Sequence, residues 1–357
     1  MDTLWSSDAS AGHFDRHSNL IPLLESFVTP AFDSVTLDEY EAFSPQQRAE
    51  YDMRRLRHVV TDVVVKTPAL TELLREVGRA SSRAHRPIGR VGVVLSGPPT
   101  AGKTTGAYHA MVEALRRHER RYPDWKSMGH LPLVYLEVPP GATAKSIMGR
   151  FMRFMDLPCH PRMTLEERTQ VVTEALVRGR TSLVCIDEFQ NLGSNRGHSE
   201  ASQAIKNLLN AVPCVPLYVG IDLEKSLLGG NGLGTQFASR SKLVRLGKLG
   251  VSTADERRLW GGVVYSFERQ LCLLSHEPKS LLPLADYLWK RTRGSIGALA
   301  SLLTTAATDL IDAGKPADEQ ITKQLLDTIS LDLTTESNLN RALSVETRSE
   351  QEAEDAA

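Results

Sequence analysis

An α/β fold is what this sequence predicts: a three-layer parallel sheet built on a phosphate-binding loop (P-loop), followed by a C-terminal helical lid subdomain. Three observations carry it. Apolar runs of strand length alternate with helical periodicity from Val91 to about residue 246, the pattern of parallel strands joined by crossover helices. The first run, Val91-Gly92-Val93-Val94-Leu95, leads into Gly97-Pro98-Pro99-Thr100-Ala101-Gly102-Lys103-Thr104, a full match to G-x-x-x-x-G-K-[ST]. From Ser252 to about residue 330 the apolar spacing is helical throughout.

Composition sets the outer bounds. A chain of 357 residues with 41% apolar side chains is long enough for two or three domains with real cores. A net charge of −1 removes any global basic field, so a nucleic-acid surface has to be local. Cys159, Cys185, Cys214 and Cys272 are far apart and mostly in apolar surroundings, and are expected to be reduced core residues of a cytoplasmic protein. No apolar run approaches the roughly 18 residues that a membrane span needs, so no membrane partner is expected.

Residues 1–58 read as an N-terminal arm and helix. Ile21, Leu23, Leu24, Phe27 and Val28 suggest one short docking segment, and Ser44-Pro45 and Thr67-Pro68 are helix starts. The basic cluster Arg54, Arg55, Arg57 and His58 suits a solvated helix face as well as a nucleic-acid contact. Within the nucleotide-binding region, set at 59–250, residues 79–90 form a basic linker leading into the nucleotide-binding strand.

In that region the loop chemistry is specific. Glycines let backbone N–H groups approach phosphates, and the helix that follows presents its positive end. Residues Gly97, Pro98, Pro99, Thr100, Ala101, Gly102, Lys103, Thr104 and Thr105 are the expected ATP contacts, with Lys103 on the β- and γ-phosphates and the Thr104 hydroxyl on Mg2+. Leu131 to Pro140 reads as a buried strand, and Ile147, Met148, Phe151 and Met155 as a core-facing helix stripe. Thr164 and Glu167 have the spacing of a capping box. The apolar strand Leu183-Val184-Cys185-Ile186 ends in Asp187-Glu188, roughly 80 residues after Lys103. A carboxylate there holds the metal and its neighbour polarises water, so Asp187 is assigned to the metal and Glu188 to the general base.

Val215 to Asp222 reads as a further strand. In AAA+ nucleotidases such a strand lies between the two motif strands and ends in a polar sensor; Asp222 is the candidate here, with Gly220 at the switch position. Arg240, after a glycine-rich loop and before the strand of Leu243, Val244 and Leu246, is where that class presents an arginine finger to a neighbouring subunit. A surface arginine is the competing reading, and Arg245 and Lys242 are rivals. The lid is set at 251–333, with Arg293 its nucleotide-sensing candidate and Arg291 the alternative. The tail, 334–357, holds six acids against two arginines and is expected to be disordered.

Together these stretches resemble the TniB/TnsC-type AAA+ ATPases that regulate DNA transposition. The residues are GPPTAGKTT, LVYLEVPPGATAKSI, CIDEFQNLGS with SQAIKNLLNA, VPLYVGID, QFASR and TRGSIGAL. The likeness covers roughly residues 60 to 310, and the chain departs from it at Gln190, where the family often has His. The resemblance implies an ATP- and Mg2+-dependent homo-oligomer, a ring or filament, on duplex DNA without sequence preference, with a transposase and a target-selection protein as partners. It places Thr143 and Lys145 at the DNA, and Arg240 of one subunit in the site of the next. The alternative is a signalling ATPase of the AAA+/STAND type that assembles with protein partners without DNA. A small-molecule kinase is disfavoured, because no acceptor-substrate motif stands out.

Overall fold

The structure is a computed structural model that describes residues 14–26, 32–60, 65–86, 91–192, 196–224 and 240–331. The glycine-rich loop before Arg240 and the acidic tail lie outside the described residues. Two compact units emerge, and they interleave along the chain.

The first unit holds residues up to 29, 68–99 and 103–246. Its centre is a five-stranded sheet of β1 (Gly92–Ser96), β2 (Leu133–Glu137), β3 (Leu183–Asp187), β4 (Val215–Gly220) and β5 (Ser241–Arg245). The strand order is β2-β3-β4-β1-β5 and every pairing is parallel. All five residues of β1 and of β3 are buried. Because successive side chains point to opposite faces, both faces of the sheet are covered, as the three-layer expectation requires. As expected, β4 is the strand between the two motif strands. Register brings Ser96, Gly220 and Arg245 level at one edge, and Glu137 level with Asp187. In a parallel sheet all strands end on the same side, so the chemistry-bearing residues that follow them converge there.

Helices α1 (His17–Ser26), α4 (Pro68–Ser81), α5 (Lys103–Arg121), α6 (Ala144–Phe154), α7 (Leu165–Arg178) and α8 (Arg196–Ala211) complete the unit. Leu20, Ile21 and Leu24 are buried, so the arm does dock through a short helix. The stripe Ile147, Met148 and Phe151 is fully buried core. Both sequence-predicted proline starts are observed, at Pro45 and Pro68, and Thr164 with Glu167 forms a complete capping box. One cysteine expectation is corrected: Cys185 and Cys214 are buried and Cys272 partly so, but Cys159 is exposed. It lies in the turn after α6.

The second unit comprises residues 30–67, 100–102 and those from 247 onward. Its helices are α2 (Leu37–Glu41), α3 (Pro45–Val60), α9 (Ala254–Glu268), α10 (Ala285–Thr292), α11 (Ile296–Asp312) and α12 (Lys323–Thr328). Trp260, Val264, Phe267, Leu288, Leu299, Leu302 and Leu303 form its core, and Val59 of α3 belongs to it. Arg55, also on α3, is 1% exposed and forks onto Glu319 (2.6 and 2.9 Å) and Asp52. Thr100 belongs here because Gly297 N–H donates to its carbonyl at 3.1 Å. Between α10 and α11 the chain turns through Arg293 and Gly294, both at positive φ, with Ser295 as the next N-cap. Among the described residues no single helix is long and apolar enough to cross a membrane.

Candidate functional site

The phosphate loop runs from the end of β1 into α5. Gly102 has φ of +82°, a conformation that a side chain would strain; this glycine lets the chain turn into the helix that Lys103 begins. Lys103 is 9% exposed, and its ammonium donates to the Pro98 carbonyl at 2.8 Å. Burial lowers its pKa from the ordinary value, against the pull of Glu188, Asp187 and Asp222. Three carboxylates therefore converge electrostatically on one lysine at the C-terminal edge of the sheet. Thr104 and Thr105 follow on the first turn of α5, with Thr104 exposed.

Asp187, the last residue of β3, is 4% exposed. Its two oxygens accept from the Glu188 backbone N–H (2.8 Å) and from the Tyr135 hydroxyl (3.0 Å). Burial and the adjacent Asp187 raise the Tyr135 pKa, which keeps the phenol a neutral donor. Buried yet hydrogen-bonded, Asp187 offers hard oxygen atoms at the end of β3, and together with the Thr104 hydroxyl these are donor types that could hold Mg2+. That ion takes one or two protein oxygens and completes its octahedron with water and phosphate.

Glu188 is half-buried and has φ of +54°, so the chain bends sharply where β3 stops. Its Oε2 accepts from the Gln190 amide nitrogen at 2.5 Å. The other end of that amide accepts from Ile221 N–H at 2.9 Å. Asn191 braces the same turn by donating to the Val138 carbonyl at 2.8 Å. Asp222 is exposed, at φ of +48° just past β4.

Beside this group lies a second cluster that sequence reasoning missed. Ser96 donates to Glu224 and accepts from Leu223 N–H at 3.0 Å, while Arg245 Nε donates to the other Glu224 oxygen at 3.2 Å. Hydrogen bonds from Ser96 and the arginine hold the Glu224 carboxyl below its usual range. Arg245 therefore has a partner within its own subunit. Arg240 does not join the site: it is exposed and precedes β5, and its carbonyl accepts from Gly92 N–H at the start of β1. It sits one strand length, roughly 16 Å, from the loop edge. Lys242 lies on β5 between these ends. In the second unit, Arg293 is half-buried with its guanidinium over the Trp289 ring, 5.8 Å from the centroid. Its rival Arg291 donates to the Ile329 carbonyl at 2.6 Å.

Thr143 and Lys145 are exposed at the start of α6. Thr143 is the N-cap, accepting from Ser146 N–H at 3.2 Å, and Lys145 donates to the Pro161 carbonyl at 3.3 Å.

Residues 55–249, more than half of the chain, match the family described as bacterial TniB protein. The chain belongs to the TniB family. Among curated proteins, none matches it. Solved structures that resemble it include the Aeropyrum pernix ORC2 protein in its ADPNP-ADP complexes, at TM-score 0.56 and 17% identity over 76% of this chain and 69% of that one. The Aeropyrum pernix ORC1 protein in complex with DNA aligns at TM-score 0.53 and 15% identity, over 81% and 70% of the two chains. At such identities the likeness is one of fold, and the TniB chain has the fold of the P-loop AAA+ ATPases.

Proposed function

We propose that this TniB-family chain is an ATP-hydrolysing regulator of DNA transposition. It oligomerises on duplex DNA and links a target-selection protein to the transposase. The observation that carries the nucleotide chemistry is that β1, leading into the loop and Lys103, and β3, ending in Asp187 and followed by Glu188, end on the same side of one parallel sheet. Lys103 and the loop amides bind the phosphates of ATP, and Thr104 with Asp187 holds Mg2+. Bound, that ion neutralises phosphate charge. Glu188 accepts the proton of the attacking water. Arg240 of a neighbouring subunit completes the site, since its own lies a strand length away; ATP then bridges subunits, and hydrolysis releases the assembly.

DNA binding rests on family membership together with a local basic surface. Lys145, Arg150, Arg153 and Arg162 are all exposed along α6 and the turn that follows. Such a strip neutralises phosphates without reading bases. The test is co-sedimentation with duplex DNA at low and high salt, with and without a non-hydrolysable ATP analogue. Nucleotide-dependent, salt-sensitive assembly on DNA is expected. Nucleotide-dependent assembly without DNA at low salt favours the signalling ATPase instead, a reading with which the near-neutral net charge agrees.

A further inference from the structure

The side chain of Gln190 spans the ends of two adjacent strands. One end of its amide bonds the carboxylate of Glu188, just past β3, and the other bonds the Ile221 N–H, just past β4. The partners fix which end is which. An N–H requires an acceptor and a carboxylate requires a donor, so the oxygen must face Ile221 and the nitrogen Glu188. The bond engages one carboxylate oxygen of Glu188, Oε2.

The strand opposite is shaped for that amide. A Cβ on Gly220, the last residue of β4, would come within 2.2 Å of Gln190 Oε1 and 2.9 Å of Leu223 Cδ2. Glycine at the end of β4 is thus the space the Gln190 side chain fills. The position in which a polar side chain would be expected to project from β4 is taken by an amide that reaches across from β3.

We propose that Gln190 is the positioning residue for the general base. It clamps the Glu188 carboxylate to the end of β4, so the direction in which Glu188 points at its water depends on how β3 and β4 end relative to each other. This rests on the reading of Glu188 as the base. The clamp orients one carboxylate oxygen and lets any displacement at the end of β4 reach the base directly. Gly220 is its obligate counterpart.

Steady-state ATP hydrolysis and nucleotide affinity, measured on the full chain for single and double variants, test the clamp. Gln190→Ala should lower kcat about 10-fold or more, within the range that a positioned base contributes, with nucleotide affinity unchanged. Gln190→His keeps one donor and one acceptor and should retain most of kcat. Gly220→Ala alone should lower kcat by displacing the amide, yet cost little more in the Gln190→Ala background, because the clamp is already gone. Wild-type kcat in Gln190→Ala, or fully additive losses in the double variant, overturns the clamp while leaving the ATPase reading intact. A wild-type chain that binds ATP without turnover overturns both.

Discussion

The Lys103 ammonium is anchored within its own loop. It is buried and donates to the Pro98 carbonyl, so the proposed contact with ATP would exchange a carbonyl for phosphate oxygens. A charge-assisted bond of this kind is worth about 1.5–3 kcal/mol. Lys103→Ala should therefore weaken ATP binding by roughly 10- to 100-fold, as read by equilibrium titration. Glu188→Gln removes the proton acceptor and keeps the shape. ATP should still bind while kcat drops about 100-fold or more, and a Glu188→Gln chain turning over at the wild-type rate would place the base elsewhere. Both residues were legible in the sequence because phosphate and metal chemistry restrict residue type and spacing. The Tyr135 hydroxyl on Asp187 and the Ser96–Glu224–Arg245 cluster were not, because they join residues that share only a sheet edge.

Elements meet in two places where an ionisable group is buried. Helix α3 is fixed within the helical unit by Arg55 and Glu319, each 1% exposed and separated by 264 positions. Removing Glu319 leaves the buried Arg55 guanidinium with Asp52 and the Cys272 carbonyl as hydrogen-bond partners. Glu319→Ala should thus lower unfolding free energy by about 3 kcal/mol, the lower end for breaking a buried pair, measured by denaturant titration. The sequence showed Arg55 only as one of a basic run, since burial of a single arginine depends on which face of α3 packs. On α5, His118 is buried against His130, with Nε2 and Nδ1 3.1 Å apart. Burial, with help from the charges around it, pushes His118 from 6.5 down to about 4. It is neutral when folded, so the unfolded chain binds its proton first. That contribution is complete above about pH 6.5 and is lost as pH falls toward 4. The urea midpoint of the wild type should fall across this window, and His118→Leu should flatten that dependence.

At the scale of the whole molecule, Arg240 stands a strand length, roughly 16 Å, from the loop edge of its own sheet, so its proposed role as a finger requires a neighbouring subunit. Mixing Arg240→Ala with Lys103→Ala subunits should recover part of the hydrolysis that neither shows alone, with the maximum at intermediate ratios; no recovery at any ratio would exclude Arg240 as a finger. The exposed basic strip on α6 gives a further whole-assembly expectation. Lys145→Ala should weaken DNA binding for all sequences alike and reduce the salt slope by about 0.9, the value of one phosphate contact, as read by anisotropy over a salt series.

The sequence by itself determined the phosphate loop, the acid pair, the alternation of strands and helices, and the helical character of the last third. Those features are local or periodic, and the residue types that make them are few. Tertiary structure alone decided that α3 belongs with the helical unit, that Arg245 is engaged by Glu224 and Arg291 by Ile329, and that Arg240 stands at the far edge of the sheet. It also gave Gly220 its meaning. A glycine at the end of a strand is mute in sequence. It becomes specific once parallel register sets it where an added Cβ would fall 2.2 Å from the Gln190 amide oxygen, because only folding brings the end of β3 beside the end of β4.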